Sequence, residues 1–337
     1  METLYEICCG IDVHKDKLVV CLKKGKSKII KEFGTKPRQL KELADWLLAE
    51  GCEMVAMEST ASYWKPLYNV FEVKGVNVIV VNAKDMKNVP GKKTDVLDSE
   101  WIADLLKHGL LRPSYIPERD QRELRELTRY RKSLTEERAR ELNRLQKMLE
   151  GANIKIGSVL SDVNSKSSRN LIEYAIENDT DMDCGIVSEL VNNVKASYED
   201  IADAMGGTLT NLQKELIKEV LSHIDDMAVR INKVSKIIKD HMTQYKKNMD
   251  KLTEMDGIGQ MSAEIILAEI GQDMSRFPTA ACIASWAGVA PGNNESAGKR
   301  RSGKTLKGNK TLKSTLAQCA KSAVKKKMVF IEPNIKD

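Results

Sequence analysis

The chain has 337 residues, 42% of them hydrophobic and 30% charged, which is typical of a folded globular protein and argues against a disordered one. Its apolar runs are shorter than the roughly 18–20 residues of a membrane-spanning helix, and the N-terminus becomes charged too early for a signal peptide. Seven scattered cysteines without paired spacing argue against a disulfide framework and a zinc site, so we expect a cytoplasmic protein that does not enter a membrane.

The first part of the chain has the pattern of an α/β layer. Three short β-rich runs are followed by a helix over residues 37–50, a strand ending at Glu58, a helix around 64–74, another strand, and a helix that begins at Asp95. This order predicts a mixed sheet covered by helices. We assign it to a domain over residues 1–112.

Helical patterns dominate residues 113–250, which we assign to a helical coiled-coil linker and oligomerisation region. Leucines mark one face of a predicted long helix over 119–150. Over 217–238, apolar residues alternate at steps of three and four, which suits a coiled-coil seam or, equally well, an ordinary bundle helix. Residues 155–210 are mixed and indicate little.

The last region, residues 251–337, begins with a glycine-containing turn and ends in a basic segment. Gly257 and Gly259 flank Ile258 between two short helical stretches, as in a helix-hairpin-helix, whose backbone N–H groups can hold a phosphate. A plain αα-hairpin has the same pattern. Residues 299–327 contain eleven Lys or Arg and no acid, so the rest of the chain carries −5, because the whole carries +6. This distribution indicates a polyanionic partner, or otherwise a solvated tail. The candidate nucleic-acid-binding residues are Gly257, Gly259, Lys299, Arg300, Arg301, Lys304, Lys307 and Lys310.

Four carboxylates stand at the ends of predicted elements. Asp12 and Glu58 each end an apolar strand, while Asp95 and Asp98 lie one turn apart at the start of a helix. Each alone is explained as a water-facing strand end or a helix cap. If the two strands are neighbours, however, Asp12 and Glu58 leave the same end of the sheet, and a helix packed over that edge can bring Asp95 and Asp98 to the same place. Four carboxylates there repel one another unless cations separate them. Hard oxygen ligands favour Mg²⁺ or Mn²⁺, so we interpret the set as a metal site for phosphoryl transfer.

A serine within the basic stretch is a candidate nucleophile. From composition alone, the residues around Ser296 are a flexible glycine-rich loop that binds phosphate without specificity. Lys299, Arg300 and Arg301 are close enough in sequence to stabilise both an alkoxide at Ser296 and a pentavalent phosphate. His14, beside Asp12, is interpreted as a surface histidine.

The order GIDVHK, MEST and KTDVLD resembles the DEDD motif of RuvC-like, ribonuclease H-fold transposases in one family of bacterial insertion sequences. The resemblance includes SYWKPLY after Glu58 and a serine motif matched by Pro291, Ser296, Gly298 and Lys299. It implies an N-terminal RuvC-like mixed sheet with helices, long coiled-coil helices, and a mainly helical C-terminal serine transposase domain with a helix-hairpin-helix-like element.

The resemblance also implies an activity and partners. Ser296 would attack DNA and form a phosphoserine link, assisted by the carboxylate–metal cluster from the other domain of a partner subunit. The catalytic residues would be Asp12, Glu58, Asp95, Asp98 and Ser296. A structured guide RNA from the element would pair with target and donor DNA, and dimers and tetramers would form through the coiled coil.

The resemblance covers about residues 5–325, and the last residues do not look like the family's continuation, which suggests a truncated copy. Two alternatives to an RNA-guided recombinase therefore stay open. One is a metal-only RuvC-like nuclease, in which Ser296 is merely part of a loop. The other is a catalytically inactive, truncated nucleic-acid-binding protein.

Overall fold

The computed structural model describes residues 3–82, 95–178, 181–291, 294–296, 299–302, 305 and 308–325, and for 95–97, 294–296 and 299–302 it describes the backbone alone. The chain divides into two compact units, an N-terminal unit (residues 1–117) and a C-terminal unit (residues 118–337). The predicted domain boundary at 112 therefore lies close to the division between the units. The further boundary predicted at 250 falls inside the C-terminal unit and stays a prediction.

The N-terminal unit is built on a five-stranded sheet with the strand order β3-β2-β1-β4-β5. Three consecutive strands pair antiparallel, namely β1 (Ile7–Val13), β2 (Lys17–Lys24) and β3 (Ser27–Gly34). Two further strands, β4 (Met54–Glu58) and β5 (Val78–Val81), extend the sheet parallel to β1. Three antiparallel strands continued by two parallel ones form the mixed sheet that the sequence predicts.

Helices cover both faces of the sheet at its centre, so β1, β2 and β4 are buried on both sides, whereas β3 at the edge is largely exposed. One face packs against α1 (Pro37–Ala49) and α2 (Trp64–Lys74) through a core that contains Ile11 and Val13. The opposite face packs against α3 (Asp95–Lys107). Side chains along a strand alternate between the faces, so neighbouring residues of β1 belong to different cores.

The C-terminal unit is helical except for one described hairpin, formed by β6 (Asn294–Ser296) and β7 (Lys299–Ser302). Single turns of 3₁₀ helix cover Thr243–Tyr245 and Met274–Arg276. The helices are α4 (Arg119–Gly151), α5 (Ile156–Val159), α6 (Lys166–Glu177), α7 (Cys184–Leu190), α8 (Tyr198–Ala204), α9 (Asn211–Met242), α10 (Lys246–Thr253), α11 (Gln260–Ile270), α12 (Ala280–Ala287) and α13 (Lys310–Lys325).

The two long helices, α4 and α9, pack against each other within the chain. Ile217 and Ile224 of α9 lie in one core with Leu145 of α4, and Ile238 lies in a second core with Leu134. The helices α5–α8 contribute to the first of these cores. The face of α9 that carries the predicted seam is thus covered by its own chain, and an oligomer contact through these helices would use their other faces.

The predicted fold class is confirmed: a mixed α/β sheet with helices is followed by a helical region with two long helices. The predicted helix, glycine turn and second helix are present as α10, residues 257–259 and α11. Among the described helices, none has the length and apolar character to cross a membrane.

Candidate functional site

The strands that end in Asp12 and Glu58 are direct neighbours. β1 and β4 pair in parallel, with Gly10 opposite Ala56 and Ile11 opposite Met57. The next pair in this register is Asp12 and Glu58, at the carboxyl ends of the two strands, where neighbouring backbones are about 4.8 Å apart. The sheet therefore brings these two acids to one edge, as the sequence predicts.

Both acids belong to the face of the sheet that α3 covers. Cys8 of β1 and Ala56 of β4 pack in one core with Ile102 of α3. Because side chains alternate along a strand, Asp12 shares the face of Cys8, and Glu58 shares the face of Ala56. The two carboxylates thus emerge beside the helix that begins with Asp95.

The helix α3 runs along β1, and the residues of the two elements advance by similar distances. A Cβ atom added to Gly10 would lie 2.2 Å from the Ser99 carbonyl oxygen and 2.4 Å from the Ala103 nitrogen, so only a glycine permits this contact. The Cys8 thiol lies 3.6 Å from the Ala103 carbonyl oxygen. Two strand residues advance about 6.6 Å and four helix residues about 6 Å. Two residues further along β1 and four residues earlier on α3, the backbone of Asp95 is therefore brought toward Asp12.

The described side chains of this site are buried or half-buried, and two of them contact polar neighbours. Asp12 is 7% exposed, and its Oδ2 lies 2.9 Å from Nε2 of His14, whose side chain is 39% exposed. Glu58 is half-buried and accepts a hydrogen bond of 3.1 Å from the Thr60 hydroxyl. Asp98 is half-buried on the first turn of α3, whereas the side chain of Asp95 lies outside the described part of the chain.

The chemistry of the donor set suits a divalent metal ion. It consists of carboxylate oxygens, the ligands that Mg²⁺ and Mn²⁺ prefer, and Asp12 is largely removed from solvent, where unneutralised negative charge is costly. Among the described side chains, which include Asp12, Glu58 and Asp98, no group of three acids, histidines or cysteines is arranged to hold a metal ion. The side chain of Asp95, the fourth candidate ligand, is not one of those side chains. The four-carboxylate assignment stays a prediction.

The glycine turn is explained in part by packing. Gly257 has a φ of +84°, and an added Cβ would lie 2.4 Å from the Cys319 carbonyl oxygen of α13. Gly259 is exposed, caps the N-terminus of α11 and has open space where a Cβ would stand. The first N–H groups of a helix have no partner within the helix, so at this terminus they can donate hydrogen bonds to a phosphate oxygen.

The predicted serine stretch forms a hairpin and not simply a flexible loop. Ser296 is paired with Lys299 at the end of β6, and a bridge between Pro291 and Thr305 extends the pairing away from the turn. For Ser296, Lys299, Arg300 and Arg301 the structure describes the backbone alone, Lys304 and Lys307 lie outside the described residues, and Lys310 is exposed at the start of α13.

The sequence interpretation missed a buried acidic residue in the C-terminal unit. The side chain of Glu269 is fully buried and pairs with Arg129, whose Nε lies 2.7 Å from Oε1 and whose Nη2 lies 2.8 Å from Oε2. Arg125 Nε lies 3.6 Å from the same carboxylate, and burial lowers the pKa of Arg125 to about 10. The sequence signal for Glu269 was an acidic residue within the apolar run of α11, but its arginine partners are distant in sequence.

Comparisons with known proteins identify the family. A model of IS110 DEDD transposases, described as a transposase, matches residues 9–154, and a second, described as transposase of the IS116/IS110/IS902 family, matches residues 249–333. The chain belongs to the IS116/IS110/IS902 family of transposases. Both predicted catalytic regions of this transposase lie within the matched ranges.

Individual similar proteins match a smaller part of the chain than the family models do. A probable family 20 transposase of Pseudomonas aeruginosa is 28% identical over 112 residues, which are 33% of this chain and 32% of the relative's own length. Two solved structures of Thermus thermophilus RuvC, one of them in complex with a Holliday junction substrate, share 12% identity. The structure with the Holliday junction covers 33% of this chain and 100% of its own, with a TM-score of 0.25. The other covers 32% of this chain and 99% of its own, with a TM-score of 0.26. The strand order β3-β2-β1-β4-β5 defines the fold of the N-terminal unit.

Proposed function

We propose that this transposase cuts and rejoins the DNA of an insertion sequence by phosphoryl transfer in the cytoplasm. The observation that carries the proposal is the convergence of Asp12, Glu58 and the start of α3 at one edge and on one face of the sheet. Membership of a transposase family supports DNA as the substrate. The finer steps follow from the residues at each candidate site.

Asp12, Glu58, Asp95 and Asp98 are the residues that would hold Mg²⁺ or Mn²⁺. When bound, such ions supply Lewis-acid stabilisation of charge on a phosphate. The chain would fix where the ligands stand. The register of β1 and β4 aligns Asp12 with Glu58, and the contact of Gly10 with α3 determines how far along β1 the other two lie. His14 Nε2 lies 2.9 Å from Asp12 Oδ2, beside the carboxylate that would hold the ion.

Ser296 is proposed as the nucleophile. Its Oγ forms a bond to phosphorus and loses its proton, while the bond to the bridging oxygen of the leaving strand breaks and that oxygen takes up a proton. One phosphoester replaces another, so the energy for rejoining is retained. The match to the family's serine motif and the position of Ser296 directly across from Lys299 support this assignment.

The partners proposed for the transposase are DNA, a structured guide RNA, and further copies of the chain as a dimer or tetramer. The basic residues 299–327 support binding of a nucleic acid, because clustered Lys and Arg release counterions from phosphates. Guide RNA is tested by sequencing RNA that co-purifies with the protein, followed by recombination assays with DNA matching its unpaired loops. Protein without a discrete RNA species would contradict RNA guidance.

The carboxylate site is tested by Asp95→Asn in Mg²⁺. We expect loss of strand cleavage, since the change removes a ligand, while DNA affinity stays within about twofold because the basic surface is intact. Asp104→Asn, at the other end of α3, is the matched control and should keep its activity. Cleavage at the wild-type rate by Asp95→Asn would contradict the metal assignment.

The serine is tested by denaturing electrophoresis of labelled DNA and peptide mapping of any covalent adduct. Ser296→Ala should lose adduct and recombination, whereas Ser302→Ala, on the neighbouring strand, should keep both. Free DNA ends without an adduct, in the wild type and in Ser296→Ala alike, would instead indicate a metal-only nuclease.

A further inference from the structure

The hairpin that carries Ser296 leaves the helical body through a narrow neck, formed by residues 286–288 and 308–309. An added Cβ at Gly308 would lie 2.3 Å from the Gly288 nitrogen and 2.6 Å from the Ala287 carbonyl carbon. The Asn309 N–H donates a hydrogen bond of 3.0 Å to the Trp286 carbonyl oxygen. The two chain segments that flank the hairpin are therefore in backbone contact at its base.

The neck is fastened to a buried carboxylate by one side chain. Asn309 Nδ2 donates a hydrogen bond of 2.6 Å to Oε2 of Glu269, and Asn309 Oδ1 accepts one of 3.1 Å from the Leu312 N–H at the start of α13. The same amide thus links the base of the hairpin both to α11 and to the helix that follows.

The carboxylate itself is held from the other side by α4. Arg129 contacts both oxygens of Glu269, and Arg125 donates a hydrogen bond of 3.0 Å to the Ala268 carbonyl oxygen. A hydrogen bond between an amide and a buried, paired carboxylate is stronger than one between neutral groups, and its loss leaves a buried charge less well solvated. The position of Asn309 is therefore strongly determined.

We propose that Glu269 and Asn309 are positioning residues for the serine step, and that they fix the direction in which the hairpin presents Ser296. The proposal depends on the proposed role of Ser296. Ser296 lies five residues beyond the Pro291 bridge, a distance of up to roughly 16 Å in an extended chain, so a small rotation at the neck displaces the serine by ångströms. Displacements of that size lower the rate of a reaction that depends on alignment.

The test is Asn309→Asp, measured by hydrogen–deuterium exchange and by the rate of adduct formation. Aspartate keeps the acceptor for the Leu312 N–H but replaces the amide donor with a second carboxylate beside Glu269. We expect amide exchange in 294–302 to become about tenfold faster and adduct formation about tenfold slower. DNA affinity should stay within about twofold.

A reversed pair distinguishes positioning from general damage. In Glu269→Gln with Asn309→Asp, the donor and acceptor exchange places, and Arg129 Nε keeps the oxygen that it contacts as Oε1. Because Oε2 also faces Arg129 Nη2 and Arg125 Nε, this double variant should recover part, and not all, of the exchange protection and of the adduct rate. Asp183→Asn is the matched control: it makes the opposite carboxylate–amide exchange at the cap of α7, where the side chain accepts from the Ile186 N–H at 2.9 Å. It should change neither readout.

Two outcomes overturn the inference, and they differ from failure of the proposed function. If the wild type forms the adduct and Asn309→Asp leaves both exchange and adduct rate unchanged, Glu269 and Asn309 have no positioning role. Equal loss of adduct in the single and reversed variants, without recovery, also contradicts that role. Absence of any adduct from the wild type refutes the serine assignment itself.

Discussion

Gly10 shows how one residue sets the geometry of the candidate metal site. The helix α3 lies so close to β1 that no side chain fits at this position, and the two candidate metal ligands of the helix, Asp95 and Asp98, lie just before the contact at Ser99. A larger residue here would displace the backbone of α3, because the contacted atoms belong to the main chain.

We therefore expect Gly10→Ala to lower the free energy of unfolding by about 1–3 kcal/mol, as overpacking does, and to reduce strand cleavage. Gly151→Ala is the control, since no atom lies within 4 Å of its added Cβ, and it should be neutral or stabilising. Urea unfolding and a cleavage assay measure both effects. Normal stability and cleavage in Gly10→Ala would mean that α3 does not set the spacing.

The reactivity of the cysteines gives a second prediction at the scale of single residues. Burial raises the pKa of Cys8 and Cys21 to about 11 and that of Cys52 to about 12, whereas a hydrogen bond with Thr279 lowers the pKa of the exposed Cys282. Only thiolates react readily, so iodoacetamide at pH 8 should modify Cys282 before those in the sheet.

Peptide mass spectrometry after timed alkylation measures the order of modification. The same reagent in urea is the control, because unfolding equalises the thiols and all should then react. Early modification of Cys8 or Cys21 in the native protein would contradict the burial of the sheet.

At the scale of the element, a buried ion pair joins α4 to α11. Arg131 Nη1 lies 2.5 Å from Oε2 of Glu264, and both side chains are at most 4% exposed. Gln260 donates a further hydrogen bond of 2.9 Å to Glu264. Removal of one charge leaves the other buried without its partner.

Glu264→Gln should therefore lower the free energy of unfolding by about 3–5 kcal/mol, whereas Arg131→Met combined with Glu264→Leu should cost much less. Glu123→Gln removes the exposed partner of Arg119 on the same helix and should cost less than about 1 kcal/mol. Urea unfolding followed by circular dichroism compares them. Similar losses for Glu264→Gln and Glu123→Gln would mean that the pair at α11 is solvated.

The elements themselves were largely predictable, and their partners were not. Apolar alternation and caps predicted β1 to β5 and both long helices, because these signals are local. Periodicity in α9 could not show that α4 of the same chain covers its seam. The hairpin of β6 and β7 was missed because both strands are short and polar, and asparagine, glutamate and lysine are poor strand formers. Glu269 was missed because Arg129 lies 140 residues away.

At the scale of the whole molecule, charge separates one segment from the rest. Replacing Arg300, Arg301 and Lys304 with Ala should flatten the slope of log affinity for DNA against log salt by up to about three units. Lys233, Lys236 and Lys239, all exposed on α9, provide a control triple of equal charge. Their replacement should leave the slope unchanged, whereas equal effects of both triples would indicate binding by net charge alone. Fluorescence anisotropy at several salt concentrations measures the slopes.

The ion pairs of α4 also have a consequence for synthesis of the chain. Ribosomes add about 5–20 residues per second, so Arg129 leaves the tunnel roughly 7 to 28 s before its partner Glu269, 140 residues later. During that interval Arg129 remains hydrated and without this partner. Its pair with Glu269 forms only after α11 emerges, which makes the docking of α11 on α4 a late step in the folding of the chain.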